Sequence, residues 1–174
     1  VEEFGLKVAG SEKNLGILGG FQAMAEAMST DYILLCENDY ALIENHAVAA
    51  AQLSRGLAAL EADEAIVWRY RHRREPGQVW HVHKAHRYWP PAGTDRVGQL
   101  MAHVRRVMRP DKARKFIGYS VFYHDDRHVV HPERVRQTAA GDFLVRSDAI
   151  NWSNNPFLIK RSVFLEVIIP AALA

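Results

Sequence analysis

DYILLCENDY, residues 31–40, is the segment that decides the predicted fold, because an apolar run leads directly into three polar residues. Residues 32–36 are typical of a buried strand, and Glu37, Asn38 and Asp39 follow at its carboxyl end. Open α/β sheets place their ligands at the carboxyl ends of strands. Carboxylate oxygens at such an edge suit a divalent cation that also binds the phosphates of a substrate. The alternative is an acidic turn that caps the next helix, and the pattern alone favours neither.

On both sides of this segment, strand patterns alternate with helix patterns. Residues 6–9 form a short apolar run, residues 14–20 form a glycine-rich connection, and residues 21–28 are rich in strong helix formers. Further on, residues 44–62 have leucines at helical spacing, and residues 65–70 are rich in β-branched and aromatic residues. The order of strand 6–9, glycine-rich turn, helix and strand 31–37 predicts a βαβ-like unit, which implies a parallel sheet.

The second half of the chain continues the alternation. An apolar stripe at helical spacing runs from Val97 to Met108, and Thr94 or Asp95 can cap that helix. A final helix is expected to begin near Lys160. The further strand candidates are residues 79–84, 116–123, 143–146 and 150–152. The predicted fold class is therefore α/β, with a mixed sheet flanked by helices.

Composition narrows the class of protein. With 174 residues and 48% hydrophobic content, the chain can bury one sizeable core, so we expect one domain spanning residues 1–174. A formal charge of +2 is too small for a nucleic-acid partner. Cys36 has no cysteine to pair with, and its place in the strand predicts a small buried residue. No apolar run is long enough to cross a bilayer, which predicts a cytoplasmic protein, with peripheral membrane contact as the variant.

Residues 14–43 together resemble the core of the GT-A glycosyltransferases, especially the broad family 2. They contain Asn14-x-Gly16, then a helix and a strand, and then Glu37-Asn38-Asp39 in the place of that family's Asp-x-Asp motif. In the family this motif holds Mn²⁺ or Mg²⁺ against the diphosphate of a nucleotide-sugar. The resemblance implies that Asp39 is a metal ligand, joined by Glu37, and that Asn14, Gly16, Glu37 and Asn38 bind the donor. Glutamate at position 37 departs from the family's aspartate.

A second and looser match covers WSNNPFLIKRSVF, residues 152–164, which resembles the acceptor segment of many such enzymes. It implies that Trp152 stacks on a sugar ring and that Asn154 and Asn155 bind its hydroxyls; the alternative is a turn with a core tryptophan. Lys160 and Arg161 could meet a phosphate at the mouth of the same site; the alternative, and the commoner case, is that such charges in the first turn of a helix are only solvated.

Two family features are not found in the sequence. Almost nothing precedes residue 6, where the family's first strand and helix would stand, so we expect a GT-A-like domain that lacks the first strand and is incomplete at one or both ends. The family's catalytic acidic pair is not evident either. Asp148 and Glu166 are the nearest carboxylates, and Asp148 is the candidate for the general base.

Histidines suggest a different chemistry. His124, Asp125 and His128 lie close together in the chain, and imidazole with carboxylate suits zinc or iron. Such clusters are more often polar loops, and no helical His-Glu-x-x-His motif supports a metal. A histidine from this region, His131, is instead a candidate to complete the coordination begun by Asp39.

The sequence therefore predicts a metal-dependent glycosyltransferase that uses a UDP- or GDP-sugar and a carbohydrate or other hydroxyl acceptor. The first alternative is a nucleotide- or sugar-binding module without turnover. The second is a histidine–aspartate metallohydrolase. Basic residues around the end of the apolar-striped helix are either ordinary helix-end charges or a contact with anionic lipid. They are Arg105, Arg106, Arg109, Lys112, Arg114 and Lys115.

Overall fold

The computed structural model describes residues 12–36, 42–70, 82–150 and 156–174. The chain divides into two compact units, the first made of Val1–Arg71 with Asn154–Ala174 and the second of His72–Ser153. The prediction of one domain stays a prediction, since two compact units can fold either together or separately. The expected first strand, residues 6–9, lies outside the described residues. Helices and small sheets together confirm the general α/β class.

The two units differ in their mixture of helices and strands. The first unit begins with α1 (Gly16–Ala27), β1 (Tyr32–Leu35), α2 (His46–Glu61) and β2 (Val67–Arg69). The second unit contains α3 (Val82–His86), α4 (Arg96–Met108), α5 (Pro110–Lys115), α6 (Ile117–Tyr123), α7 (Arg127–Val130), β3 (Val135–Gln137), β4 (Phe143–Val145) and a 3₁₀ turn (Ser147–Ala149). The chain then returns to the first unit with β5 (Phe157–Lys160), α8 (Arg161–Val163), a π-helical turn (Phe164–Ile168) and α9 (Ile169–Leu173).

The sheet of the first unit has the strand order β1-β5-β2, and both strand pairs are antiparallel. Because β1 and β2 both run against β5, they run parallel to each other without being neighbours. β5, which the sequence did not predict as a strand, occupies the position between them. The predicted parallel pairing of strand 6–9 with β1 stays a prediction, because residues 6–9 lie outside the described residues.

The register of these strands gives the sheet two distinct faces. Ile33, Ile159 and Val67 are paired across the sheet, and they belong to a cluster with Ala25 of α1 and Phe164 of the π-helical turn. Side chains alternate along a strand, so the neighbouring trio Leu34, Leu158 and Trp68 lies on the other face. There Trp68 lies against Gly56 of α2. Helices thus cover both faces of the sheet, as the sequence predicted.

The second unit is mostly helical and has its own core. Ile117 and Val121 of α6, Val135 of β3 and Ala149 form a buried cluster. β3 and β4 pair as an antiparallel hairpin, which confirms a strand at residues 143–146. Among the helices that the structure describes in either unit, none has the length and apolar character needed to cross a bilayer.

Two predicted strands of the second unit are wrong. Residues 116–123 form the helix α6, because their apolar side chains are buried at helical spacing and not at alternate positions. Residues 82–84 of the expected strand 79–84 lie in α3, and the others are outside the described residues. The capping prediction is confirmed in one of its two forms: Asp95 accepts a hydrogen bond from the Gly98 backbone N–H at 2.7 Å.

Candidate functional site

One edge of the three-stranded sheet collects the chain segments that the sequence singled out. Leu35, the last residue of β1, is paired with Phe157, the first residue of β5, and Arg69 at the end of β2 is paired with the same residue. The Tyr70 backbone N–H extends the ladder by donating to the Pro156 carbonyl at 2.8 Å. The carboxyl ends of β1 and β2 and the amino end of β5 therefore meet at this edge, which we call the 35/157 edge.

In the sequence, the acidic triplet and the three predicted acceptor residues adjoin the strands that end or begin at this edge. Glu37, Asn38 and Asp39 follow Cys36 directly, and Trp152, Asn154 and Asn155 precede Pro156. All six lie outside the described residues. The register nevertheless shows that the last residue of β1, Leu35, and the first residue of β5, Phe157, are neighbours.

Asn14 and Gly16 form a local turn at the start of α1. The Asn14 side-chain oxygen accepts a hydrogen bond from the Gly16 backbone N–H at 2.9 Å. Gly16 has a φ of +67°, a conformation that glycine adopts without the steric cost that a Cβ brings. The Asn-x-Gly pair thus has a structural reason to occur here, and both residues are exposed.

Cys36 and Tyr70 lie at the 35/157 edge and were not predicted as site residues. Cys36 is exposed, so the expectation of a buried cysteine is wrong; the strand ends one residue earlier. Tyr70 follows β2, and its hydroxyl donates a hydrogen bond to the Gln52 carbonyl at 3.5 Å. Burial, with the neighbouring Cys36 as a second cause, raises the pKa of Tyr70 to about 12. Tyr70 is therefore a neutral hydrogen-bond donor at neutral pH.

Lys160 and Arg161 lie at the opposite edge of the sheet. Lys160 is paired with Tyr32, at the other end of β5 from Phe157. Its ammonium group donates to the Asp63 carboxylate at 2.5 Å, and this bond raises the pKa of Lys160. The two ends of β5 are about 10 Å apart at the usual rise of a strand. The expectation that these cations meet a phosphate at the mouth of the proposed site stays a prediction, because residues 37–39 lie outside the described residues.

An open depression of about 290 Å³ is found at this opposite edge. It is lined by Asp31, Tyr32, Lys160, Arg161 and Ser162. The Arg161 backbone N–H closes the ladder here by donating to the Asp31 carbonyl at 2.8 Å. Lys160 and Arg161, which the sequence suggested as phosphate contacts, line this depression, but none of the residues predicted as metal ligands or acceptor contacts does.

Asp148, the predicted general base, belongs to an ion-pair cluster in the second unit. Its carboxylate accepts a hydrogen bond from Arg134 at 2.7 Å and another from Arg146 at 3.1 Å. The hydrogen bond from Arg146, with the charges of both arginines, lowers the pKa of Asp148. A carboxylate with a lowered pKa is a weaker proton acceptor. The catalytic role of Asp148 stays a prediction, and its surroundings do not support it.

His131, predicted as a metal ligand, is completely buried in the second unit. Its Nε2 shares a hydrogen bond with the Ser120 hydroxyl at 2.8 Å, and its ring lies 4.7 Å from that of Trp89. Burial lowers the pKa of His131 to about 4, so the imidazole is neutral at pH 7. Its Nδ1 has no hydrogen-bond partner among the described residues. Its role as a metal ligand together with Asp39 stays a prediction, because Asp39 lies outside the described residues.

The histidine-rich segment forms a packed structure around Trp89. His124 is buried, its Nε2 lies 2.7 Å from the Trp89 carbonyl, and its ring stacks on His86 at 4.8 Å. Asp126 accepts a hydrogen bond from the Ala92 backbone N–H at 2.6 Å. Within residues 12–36, 42–70, 82–150 and 156–174, no three histidine, cysteine, aspartate or glutamate side chains are placed to hold a metal. The histidine contacts found here are accordingly those of a packed core.

Comparison of the chain with models of protein families, with curated proteins and with solved structures found no match. The functional interpretation therefore depends on the sequence motif and on the geometry of the 35/157 edge.

Proposed function

We propose that this protein is a metal-dependent glycosyltransferase of the GT-A type. It transfers a sugar from a UDP- or GDP-sugar to the hydroxyl group of a carbohydrate or another acceptor. The observation that carries this proposal is the register of β1 and β5, which joins the acidic triplet and the acceptor-like segment to the same edge of one sheet. A donor site and an acceptor site must be adjacent for a transfer reaction.

The donor side is assigned to the acidic triplet and the Asn14–Gly16 turn. Asp39 and Glu37 offer hard oxygen ligands that fit Mn²⁺ or Mg²⁺, and Asn38 completes the donor-binding segment. Residues 28–31 alone connect α1 with β1. So short a connection makes the helix run back along the strand, in the opposite direction. We therefore expect the start of α1 to lie near the carboxyl end of β1, where Leu35 lies.

In the reaction, the acceptor oxygen forms a bond to the anomeric carbon while the bond from that carbon to the diphosphate oxygen breaks. The acceptor proton passes to a general base, and the nucleoside diphosphate leaves with both bonding electrons. When bound, a divalent cation would neutralise the negative charge that develops on the diphosphate. Trp152, Asn154 and Asn155 position the acceptor. Asp148 is a poor candidate for this general base, because its carboxylate is paired with two arginines.

The test is a titration of the protein with UDP and GDP, with and without Mn²⁺, by isothermal calorimetry. We expect Mn²⁺-dependent binding of one nucleotide, which Asp39→Asn weakens by more than about tenfold, as loss of a metal ligand should. Asp31→Asn is the matched control, since Asp31 stands at the other end of the same strand. Absence of nucleotide binding, or equal affinity in Asp39→Asn and the native protein, would refute the proposal.

A second candidate function is nucleotide-sugar binding without transfer. The pairing of Asp148 with Arg134 and Arg146 favours it, because this carboxylate is then a poor base. The two functions are separated by incubating the loaded protein with nucleotide-sugars and varied hydroxyl acceptors. Release of nucleoside diphosphate together with a glycosylated acceptor indicates the transferase, whereas tight binding with neither product indicates the binding module.

A further inference from the structure

The apolar stripe of α4 is exposed among the described residues. The six side chains are spaced three and four residues apart, which places them along one side of the helix. The least exposed of them is 40% exposed and the most exposed is 74% exposed. We call this surface the α4 stripe, and it consists of Val97, Leu100, Met101, Val104, Val107 and Met108.

The opposite side of α4 packs against neighbouring residues of the second unit, and its side chains are alanine and arginine. Ala102 is its buried residue. Arg106 donates to the Tyr88 carbonyl at 2.7 Å, and its guanidinium lies 4.7 Å from the centre of the Trp89 ring. Arg105 donates to the Arg87 carbonyl at 3.3 Å. An ordinary surface helix buries its apolar side, so α4 has the reverse arrangement.

Basic side chains surround the carboxyl end of this stripe. Residues 105–115 contain six lysines and arginines and one acidic residue, Asp111. Arg109, Lys112, Arg114 and Lys115 are exposed, and three of these belong to α5. The surface next to the apolar stripe therefore carries a strong positive charge.

We propose that the α4 stripe and the basic residues of α5 dock on an anionic lipid bilayer. A helix with an exposed apolar side and clustered lysines and arginines can lie in the plane of the membrane, its apolar side chains at the boundary of the headgroups. Acidic lipids attract the adjacent cations. This inference does not depend on the proposed glycosyltransferase activity.

Charge favours the bilayer over a second copy of the chain. A two-fold symmetric dimer through the α4 stripe presents the same surface on both subunits. Such an interface collects the basic residues of both subunits at its borders without supplying acidic partners for them, whereas an acidic bilayer complements the charge of every copy that binds.

The first test is co-sedimentation of the full chain with vesicles of phosphatidylcholine alone and with about 30% phosphatidylglycerol. We expect partition onto the acidic vesicles that falls at high salt, and little partition onto the neutral ones. Lys112→Glu with Arg114→Glu should lower the partition by about tenfold or more. Leu100→Gln with Val107→Gln should also lower it, because the apolar contact is lost.

Matched control variants carry the same changes elsewhere on the surface. Lys84→Glu with Arg136→Glu makes the same change in charge, and Val129→Gln with Val167→Gln makes the same change in polarity at exposed positions. Both control pairs should bind vesicles like the native protein. All eight side chains are exposed, so these variants should fold, which far-ultraviolet circular dichroism checks.

A second test asks whether α4 itself enters the headgroup region. In a Cys36→Ser background, an environment-sensitive fluorophore attached to Val104→Cys should shift to shorter wavelength on acidic vesicles, while one attached to Lys84→Cys should not. The proposal is overturned by absence of vesicle binding, by equal binding of the α4-stripe and control variants, or by a dimer in light scattering that the α4-stripe variants dissociate while vesicles remain unbound.

Discussion

Buried His131 links the stability of the second unit to pH. Its ring is completely buried, and burial lowers its pKa from 6.5 to about 4. The unfolded chain therefore binds a proton between pH 6.5 and pH 4 that the folded chain does not bind. Stability from this group is complete above pH 6.5 and is lost as the pH falls toward 4. The pKa of His86 is also lowered, mainly by burial, which acts in the same direction.

We predict that the free energy of unfolding, measured by urea titration, falls by up to about 3 kcal/mol through His131 as the pH is lowered from 6.5 to 4. His131→Gln should flatten this pH dependence, because glutamine does not titrate, although it lowers stability at every pH by disturbing the core. The quantity to compare between the variants is the slope of the free energy of unfolding against pH, and not the free energy itself.

His103→Gln is the control for this experiment, since His103 is exposed on α4. It should leave the slope between pH 6.5 and 4 unchanged. An equal slope in the native protein and in His131→Gln would show that the protonation of His131 is not coupled to unfolding.

Among the helices and strands, α2 depends on close contact with β2. A Cβ atom on Gly56 would lie 2.5 Å from the Tyr70 hydroxyl oxygen and 2.9 Å from Cδ1 of Trp68. Both distances are shorter than a Cβ atom tolerates, so the helix approaches the strand only because residue 56 has no side chain. The tyrosine at the 35/157 edge is thus positioned partly by a glycine in a helix.

We predict that Gly56→Ala lowers the free energy of unfolding by about 1–3 kcal/mol, because overpacking outweighs the better helix propensity of alanine. Gly20→Ala is the matched control: Gly20 lies in α1, and a Cβ atom added there would meet no neighbouring atom of the described residues within 4 Å. It should raise the free energy of unfolding by up to about 1 kcal/mol. Urea titration measures both, and a stabilised Gly56→Ala would contradict the packing.

Sequence patterns located most of the first unit's elements and failed where short apolar runs have two interpretations. α1, β1, α2 and β2 were predicted because helix formers and β-branched residues are clearly separated there. β5 was not predicted, since Phe157–Lys160 has only three consecutive apolar residues, followed by a lysine, and no alternation. A central strand buried on both faces has no such alternation to detect. The sequence of α6 predicts a strand because it is rich in aromatic residues, which are common in strands.

The candidate site was predictable in part. Glu37 to Asp39 could be found because polar residues directly follow a strand. The pairing of the end of β1 with the start of β5 could not, since it depends on β5 and its register. The position of Lys160 at the other end of β5 could not be predicted for the same reason, and no motif marks Tyr70. Contacts between distant parts of the chain leave no local pattern in the sequence.

At the level of the entire chain, each of the two units has its own buried cluster. Phe157 belongs to the cluster of the first unit and Val121 to that of the second, and the two clusters share no residue among those described. A loss of packing in one cluster should therefore be felt first in its own unit.

We predict that Phe157→Ala, at a cost of about 3–5 kcal/mol, speeds amide hydrogen exchange mainly in β1, β2 and β5. Val121→Ala, at a cost of about 2 kcal/mol, should speed exchange mainly in α6 and β3. Each variant is the control for the other. Equal acceleration of both sets of amides by either substitution would show that the two clusters unfold as one.

The late position of β5 in the chain has a consequence for biosynthesis. β1 and β2 emerge from the ribosome early, but β5, the strand with which both pair in the described residues, is encoded after the entire second unit. Until translation reaches residue 160, the backbone groups that bond to β5 lack this partner, and unpaired strand edges make nascent chains prone to aggregate. Folding of the first unit is therefore expected to be completed only after the second unit has been synthesised, or to depend on chaperones until then, even though its sequence begins first.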